Sequence, residues 1–170
     1  MIRFVFILLF GLLIACDTER TISLPEHDYF LKFYGTEGEQ TGVDFVLTAD
    51  NAIVMVGNSK REATANQMIY VVKVDLNGNV IWENMIGLDD KNNAVKDIEL
   101  HPDGRLVIAG ETEVTANDRD IFLQIMSGDG DELERVTHGI SNGSDEEVKS
   151  VSIISTGLFA NQQGFIVAGA

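Results

Sequence analysis

Most of the residues in this 170-residue chain that could do chemistry are carboxylates. Two short stretches, Asp75-Leu-Asn-Gly-Asn79 and Ser127-Gly-Asp-Gly-Asp131, place oxygen ligands at alternate positions, as the start of a calcium loop does. A full calcium loop also needs glycine at its sixth place and glutamate at its twelfth, and here those places hold Val80 and Ile86. Both stretches are therefore read as hairpin turns, with casual Ca2+ binding as the weaker alternative and no dedicated metal or cofactor site. His27, His101 and His138 are dispersed, and none shares a strand or helix spacing that would let ligands converge. No serine or threonine nucleophile elbow and no phosphate loop is present, so no catalytic residue is assigned.

The remaining acids gather toward particular connections: Glu111, Glu113, Asp118, Asp120, Asp145, Glu146 and Glu147, together with Glu37, Glu39, Asp89 and Asp90. Few bases offset them, chiefly Lys60, Arg61, Lys91 and Arg119. Such a surface suits a cationic partner, or divalent ions bridging to one, while a plainly solvated face is the alternative. The net charge of −15 argues against nucleic acid, because phosphate binding needs clustered positive charge.

Stepping along the chain, residues 1–15 hold one positive charge, Arg3, then a short apolar run, then Ala15 before the lone cysteine, Cys16. This is the pattern of a secretory signal peptide, and its apolar part falls short of the ~20 residues that a spanning helix needs. Leu13-Ile14-Ala15-Cys16 resembles the lipobox of bacterial lipoproteins. That resemblance implies removal of the leader, attachment of a diacylglyceryl group to the Cys16 sulfur, and acylation of the new amino terminus. Two or more acyl chains anchor stably where one is marginal. Residues 16–29 then read as lipidated cysteine and polar tether, which places the protein at the cell envelope, with the outer membrane as the expected site.

Beyond the tether the chain repeats itself. Gly35, Gly87 and Gly139 are 52 residues apart, and Phe45–Gly57 matches Ile98–Gly110 without a gap, so that Asp44 falls on Asp97 and Asp50 on Asp103. The segment starting at Ile69 is answered by the one starting at Ile121, and Asn77-Gly-Asn79 by Asp129-Gly-Asp131. A fixed period near 50 residues marks a repeat architecture. The units are 35–86, 87–138 and an incomplete 139–170, and 30–170 is read as one all-β array.

Each unit parses as four strands, in the first copy near 43–48, 52–57, 68–75 and 79–85. Ile53-Val-Met-Val and Leu106-Val-Ile-Ala are continuous apolar runs, so strand two must be covered on both faces. Strand four is weakly apolar and in the second copy charged, as suits an edge. Asn77-Gly78 predicts a two-residue turn with both central residues at positive φ. In an up-and-down meander the tight turns share one end, and the connections 36–42, 58–68, 88–95, 111–120 and 140–148 share the other. About half of the net charge of −15 lies in that second set.

The repeat resembles the β-propeller repeat of many Bacteroidetes-like surface lipoproteins: Gly35, Asp44, Asp50-Asn51, Gly57, Tyr70 to Asp75, Asn77-Gly78-Asn79 and Trp82, with Gly87, Asp97, Asp103-Gly104 and Gly110 in the second copy. The resemblance implies four-stranded antiparallel blades, and it is silent on activity. About two and a half units stand against the minimum of four for a closed propeller, so a partial propeller is expected, or an open array that closes by oligomerising. Asp75, Gly78 and Trp82 are also similar to the blade motif of quinone-dependent dehydrogenases and of the propeller lipoprotein that assists outer-membrane protein assembly. The leading functional expectation is a lipid-anchored binding or scaffold module that contacts protein or glycan through its acidic end. The alternative is a fragment of a propeller enzyme, such as a quinone-dependent dehydrogenase, lyase or glycosidase, or of that assembly lipoprotein.

Overall fold

The computed structural model describes residues 31–35, 37–62, 65–115, 118–139, 145–154 and 164–170. Ten strands form there: β1 (Glu39–Leu47), β2 (Ala52–Lys60), β3 (Met68–Asp75), β4 (Val80–Ile86), β5 (Asn93–Leu100), β6 (Leu106–Thr115), β7 (Asp118–Met126), β8 (Glu132–His138), β9 (Val148–Ile154) and β10 (Gly164–Gly169). They make three antiparallel sheets, ordered β1-β2-β3-β4, β5-β6-β7-β8 and β9-β10. The described residues thus form an open stack of sheets, with no closed ring. Among them no helix is long and apolar enough to cross a membrane.

Period-2 alternation decides what each face touches. Val54, Val56, Ile69, Val71 and Ile86 of the first sheet pack against Val95, Ile98, Leu106, Ile108, Phe122 and Met126 of the second. The opposite face of the second sheet, through Val107, Ala109, Ile121 and Leu123, packs on Val148, Val151, Ile153, Phe165 and Val167 of the third. Strand β6 is therefore buried on both sides, as the run Leu106-Val-Ile-Ala requires, whereas in the first sheet Ile53 and Met55 of β2 face outward and stay half-buried, because no further sheet lies on that side among the described residues. At one pair of positions the sheets solve burial differently. Tyr70 donates its hydroxyl hydrogen to Glu83 in the first sheet, and the corresponding Phe122 lies under the Arg135 guanidinium, 4.0 Å from the ring centre, in the second.

The repeat also carries an irregularity. Register slips at Gly42/Asp44 in β1 and at Val95/Asp97 in β5, and again where Val148 and Ser150 of β9 face Gly169 and Ala168. The extra residue is Val43, Lys96 or Lys149, a β-bulge in each first strand. Across from each bulge sits a glycine. A Cβ on Gly57, Gly110 or Gly169 would lie 2.6, 2.2 or 1.9 Å from the carbonyl oxygen of Thr41, Ala94 or Glu147. That close backbone approach accounts for the glycine at this place in the second strand of every unit, which in β2 and β6 lies inside the strand and not at its end.

The four hairpin turns share one geometry, and it corrects the two-residue turn expected at Asn77-Gly78. The Gly78 amide donates to the Asp75 carbonyl and the Asp75 amide to the Asn79 carbonyl, which makes a three-residue loop. Only its third residue is left-handed: Asn51, Gly78, Gly104 and Gly130 have φ of 58°, 74°, 91° and 96°. The reason is local. Asp75 Oδ1 accepts from the amides of Asn77 and Asn79 at 2.9 and 2.8 Å, and Ser127 Oγ serves Asp129 and Asp131 likewise, so the side chain stabilises the longer loop. Those bonds also engage the oxygens of the calcium-like stretch.

Candidate functional site

The meander order places the four tight turns at one end of the stack and the connections β2–β3, β4–β5 and β6–β7 at the other, as the sequence led us to expect. The acidic residues are held differently, however. Residues 111–120 do not form a long loop: β6 runs to Thr115 and β7 begins at Asp118, so Glu111, Glu113, Asp118 and Asp120 project from a strand hairpin. Residues 39–42 likewise belong to β1 and 93–95 to β5. Extended pairing satisfies the backbone groups that a polar loop would leave to water.

Glu111 is buried and fully engaged. Its carboxylate takes Lys96 Nζ at 3.2 Å, Arg119 Nη1 at 3.4 Å and the Val148 amide at 3.2 Å. Its counterpart one unit earlier is Asn58, whose amide group clasps both the N–H and the C=O of Val95. Glu111 therefore ties the second sheet to the third, just as Asn58 ties the first to the second. Glu147 pairs with Lys149, Asp145 lies 3.9 Å from Arg119, and Glu113 accepts from the Asn92 side chain. The ion pair holds Glu147 below the usual carboxylate range.

Three of the expected residues converge. Carboxylate oxygens of Asp118, Asp120 and Glu146 all lie within 4.8 Å of one another. Asp118 and Asp120 stand two apart on β7 and so share a face, and Glu146 is set by its backbone amide, which donates to the Arg119 carbonyl. Burial first, and then the charges of Asp118 and Glu146, push the Asp120 carboxyl up. Glu111, Glu113, Asp118, Arg119 and Asp145 also line an adjoining cleft of about 430 Å³. An all-oxygen carboxylate set of this kind matches hard cations such as Ca2+ or Mg2+, and equally an ammonium or guanidinium group.

No family model matches the chain, and no curated protein is significantly similar to it. Cys16 and the leader lie outside the described residues, as does His27; His138 is exposed at the end of β8. His101 is buried beside Asp103, and its ring meets Phe165 edge-on at 6.3 Å.

A second acidic contact, between the first strands of the sheets, escaped a reading by motif. The Asp44 and Asp97 carboxyls interact across the first and second sheets, and Asp97 Oδ2 accepts the Val151 amide of the third at 2.7 Å. Burial raises the Asp97 carboxyl above its ordinary range, with Asp44 adding to the rise. Glu99 is raised too, by burial and then by both aspartates. The available signal was that both aspartates hold matching positions in the repeat. A raised carboxyl contributes most below its unfolded value, and that contribution is lost as pH rises through the folded one. Asp44→Asn would offer Asp97 an N–H donor at all pH values, while its Oδ1 still accepts the Phe45 amide. The variant is expected to gain about 1 kcal/mol at pH 7 over the parent, and nothing near pH 3, in urea unfolding followed across pH.

Proposed function

We propose that this chain is a lipid-anchored, cell-envelope module built of β-propeller-type blades, whose acidic end binds a cationic segment of a partner protein. The observation that carries the binding site is the convergence of Asp118, Asp120 and Glu146 beside a cleft lined by further acids. Like charges brought together repel, and a bound cation relieves that repulsion. A lysine or arginine side chain, or a divalent ion held jointly with a partner carboxylate, meets the same requirement.

Support for the blade reading comes from the repeated bulge, the repeated glycine opposite it and the face-to-face stacking of meanders. The envelope reading rests on Leu13-Ile14-Ala15-Cys16. Calorimetric titration with a lysine-rich peptide, and separately with Ca2+, tests the site. Asp118→Asn with Asp120→Asn should weaken binding about tenfold or more while leaving the fold intact, whereas Asp89→Asn with Asp90→Asn should change it little. Equal loss in both pairs would mean diffuse attraction, and no binding of either probe would sink the reading.

A further inference from the structure

The cleft of about 430 Å³ at the acidic end is not uniform in charge. Glu111, Glu113, Asp118 and Asp145 line it, and so do two bases, Lys60 and Arg119. Arg119 is turned to protein carboxylates, 3.4 Å from Glu111 and 3.9 Å from Asp145. Lys60 is half-buried, and among the described residues its Nζ makes no ion pair and no hydrogen bond. It stands two residues beyond Asn58 on β2 and so shares the face turned to the second sheet, where Asn58 clasps Val95. The amide donors around it are spent on the protein itself. The Gln67 backbone N–H donates to Asn92 Oδ1 at 2.9 Å, Gln67 Nε2 donates to the Asn93 carbonyl at 3.0 Å, and Asn92 Nδ2 donates to Glu113. These ties run from the first sheet to β6 and hold the Glu113 carboxylate in place. Lys60 is the donor that the lining leaves for an anionic group, in a cleft whose other wall attracts cations.

We infer that this cleft receives the carboxyl-terminal lysine or arginine of the cationic segment, with the α-carboxylate on Lys60 Nζ and the side-chain cation toward Glu113 and Asp118. The inference rests on the cationic partner proposed above and adds which part of it is recognised. A terminal residue brings both charges at once and forms a charge-assisted hydrogen bond with Lys60, which the neutral peptide group of an internal lysine cannot match. The volume is that of a site for a small ligand or a single residue, in contrast to a groove for a long segment.

Calorimetric titration of the full chain compares one lysine-rich peptide ending in lysine as the free acid with the same peptide amidated. The free acid should bind about tenfold more tightly, and Lys60→Met should bring the two to equal affinity. Lys60→Gln, which keeps a polar side chain at the end of β2, should do the same, so that a folding defect in one variant does not decide the result. General attraction to an acidic surface predicts the opposite order, because amidation removes a negative charge from the peptide. Equal affinities for the parent chain, or the amide ahead, overturn terminal capture and leave the proposed cationic partner standing. A preference for the free acid that survives in both Lys60 variants overturns it as well. Binding of neither peptide sinks the reading on which it rests.

Discussion

Replacing Lys96 and Arg119 together by methionine is expected to destabilise the fold by about 3–5 kcal/mol at neutral pH. The asymmetry of burial decides which partner matters. Glu111 is only 2% exposed, whereas the Lys96 and Arg119 side chains are 32% and 55% exposed. Removing the cations leaves an almost wholly buried carboxylate between the second and third sheets, with the Val148 amide as its remaining donor among those above. Removing Glu111 instead lets the two cations relax into solvent, and Glu111→Gln still offers an oxygen to the Val148 amide. That variant should cost about 1 kcal/mol, the scale of one hydrogen bond. Urea unfolding at pH 7 measures both costs, and equal costs for Glu111→Gln and the double variant would refute the clasp.

Phe122→Ala is expected to cost about 3–5 kcal/mol, the range for deleting a buried aromatic ring. Phe122 is 1% exposed and sits in the core shared by the first and second sheets. Its ring fills the space beside Gly110, where a Cβ would lie 2.7 Å from Cζ. It also supports Arg135, whose guanidinium stacks on it and is held below its ordinary pKa by burial. Truncation opens a cavity and leaves a half-buried cation without its aromatic partner, so the loss exceeds that of an aliphatic residue in the same layer. Phe122→Leu, which keeps most of the volume but not the π face, should fall between the parent and alanine. Thermal unfolding of the three proteins gives the order, and a Phe122→Leu loss equal to that of Phe122→Ala would place the weight on the cation–π contact.

How much of this was legible beforehand differs by level. Strand order, the all-β class and double-sided burial of β6 followed from the alternation and from the run Leu106-Val-Ile-Ala, because burial patterns are written residue by residue. The glycines 57 and 110 were visible as a repeat, but their cause was not: it depends on a bulge in the neighbouring strand. The Asn77-Gly78 pair indicated a hairpin, yet the loop gained a residue because Asp75 bonds two amides across it. Glu111 looked like one more surface acid, since nothing in its own neighbourhood indicates that Lys96 and Val148 meet it from other strands.

The sequence by itself determined the repeat, the faces of the strands and the end of the stack at which acid accumulates, all of which depend on period and composition. Tertiary structure alone decided which acids are spent on holding sheets together and which converge. Glu111 and Asp97 are consumed by backbone amides of the next sheet, while Asp118, Asp120 and Glu146 are brought within reach of one another. The physical reason is that a carboxylate's role is set by which donors surround it in space, and those donors here come from residues that lie tens of positions away along the chain.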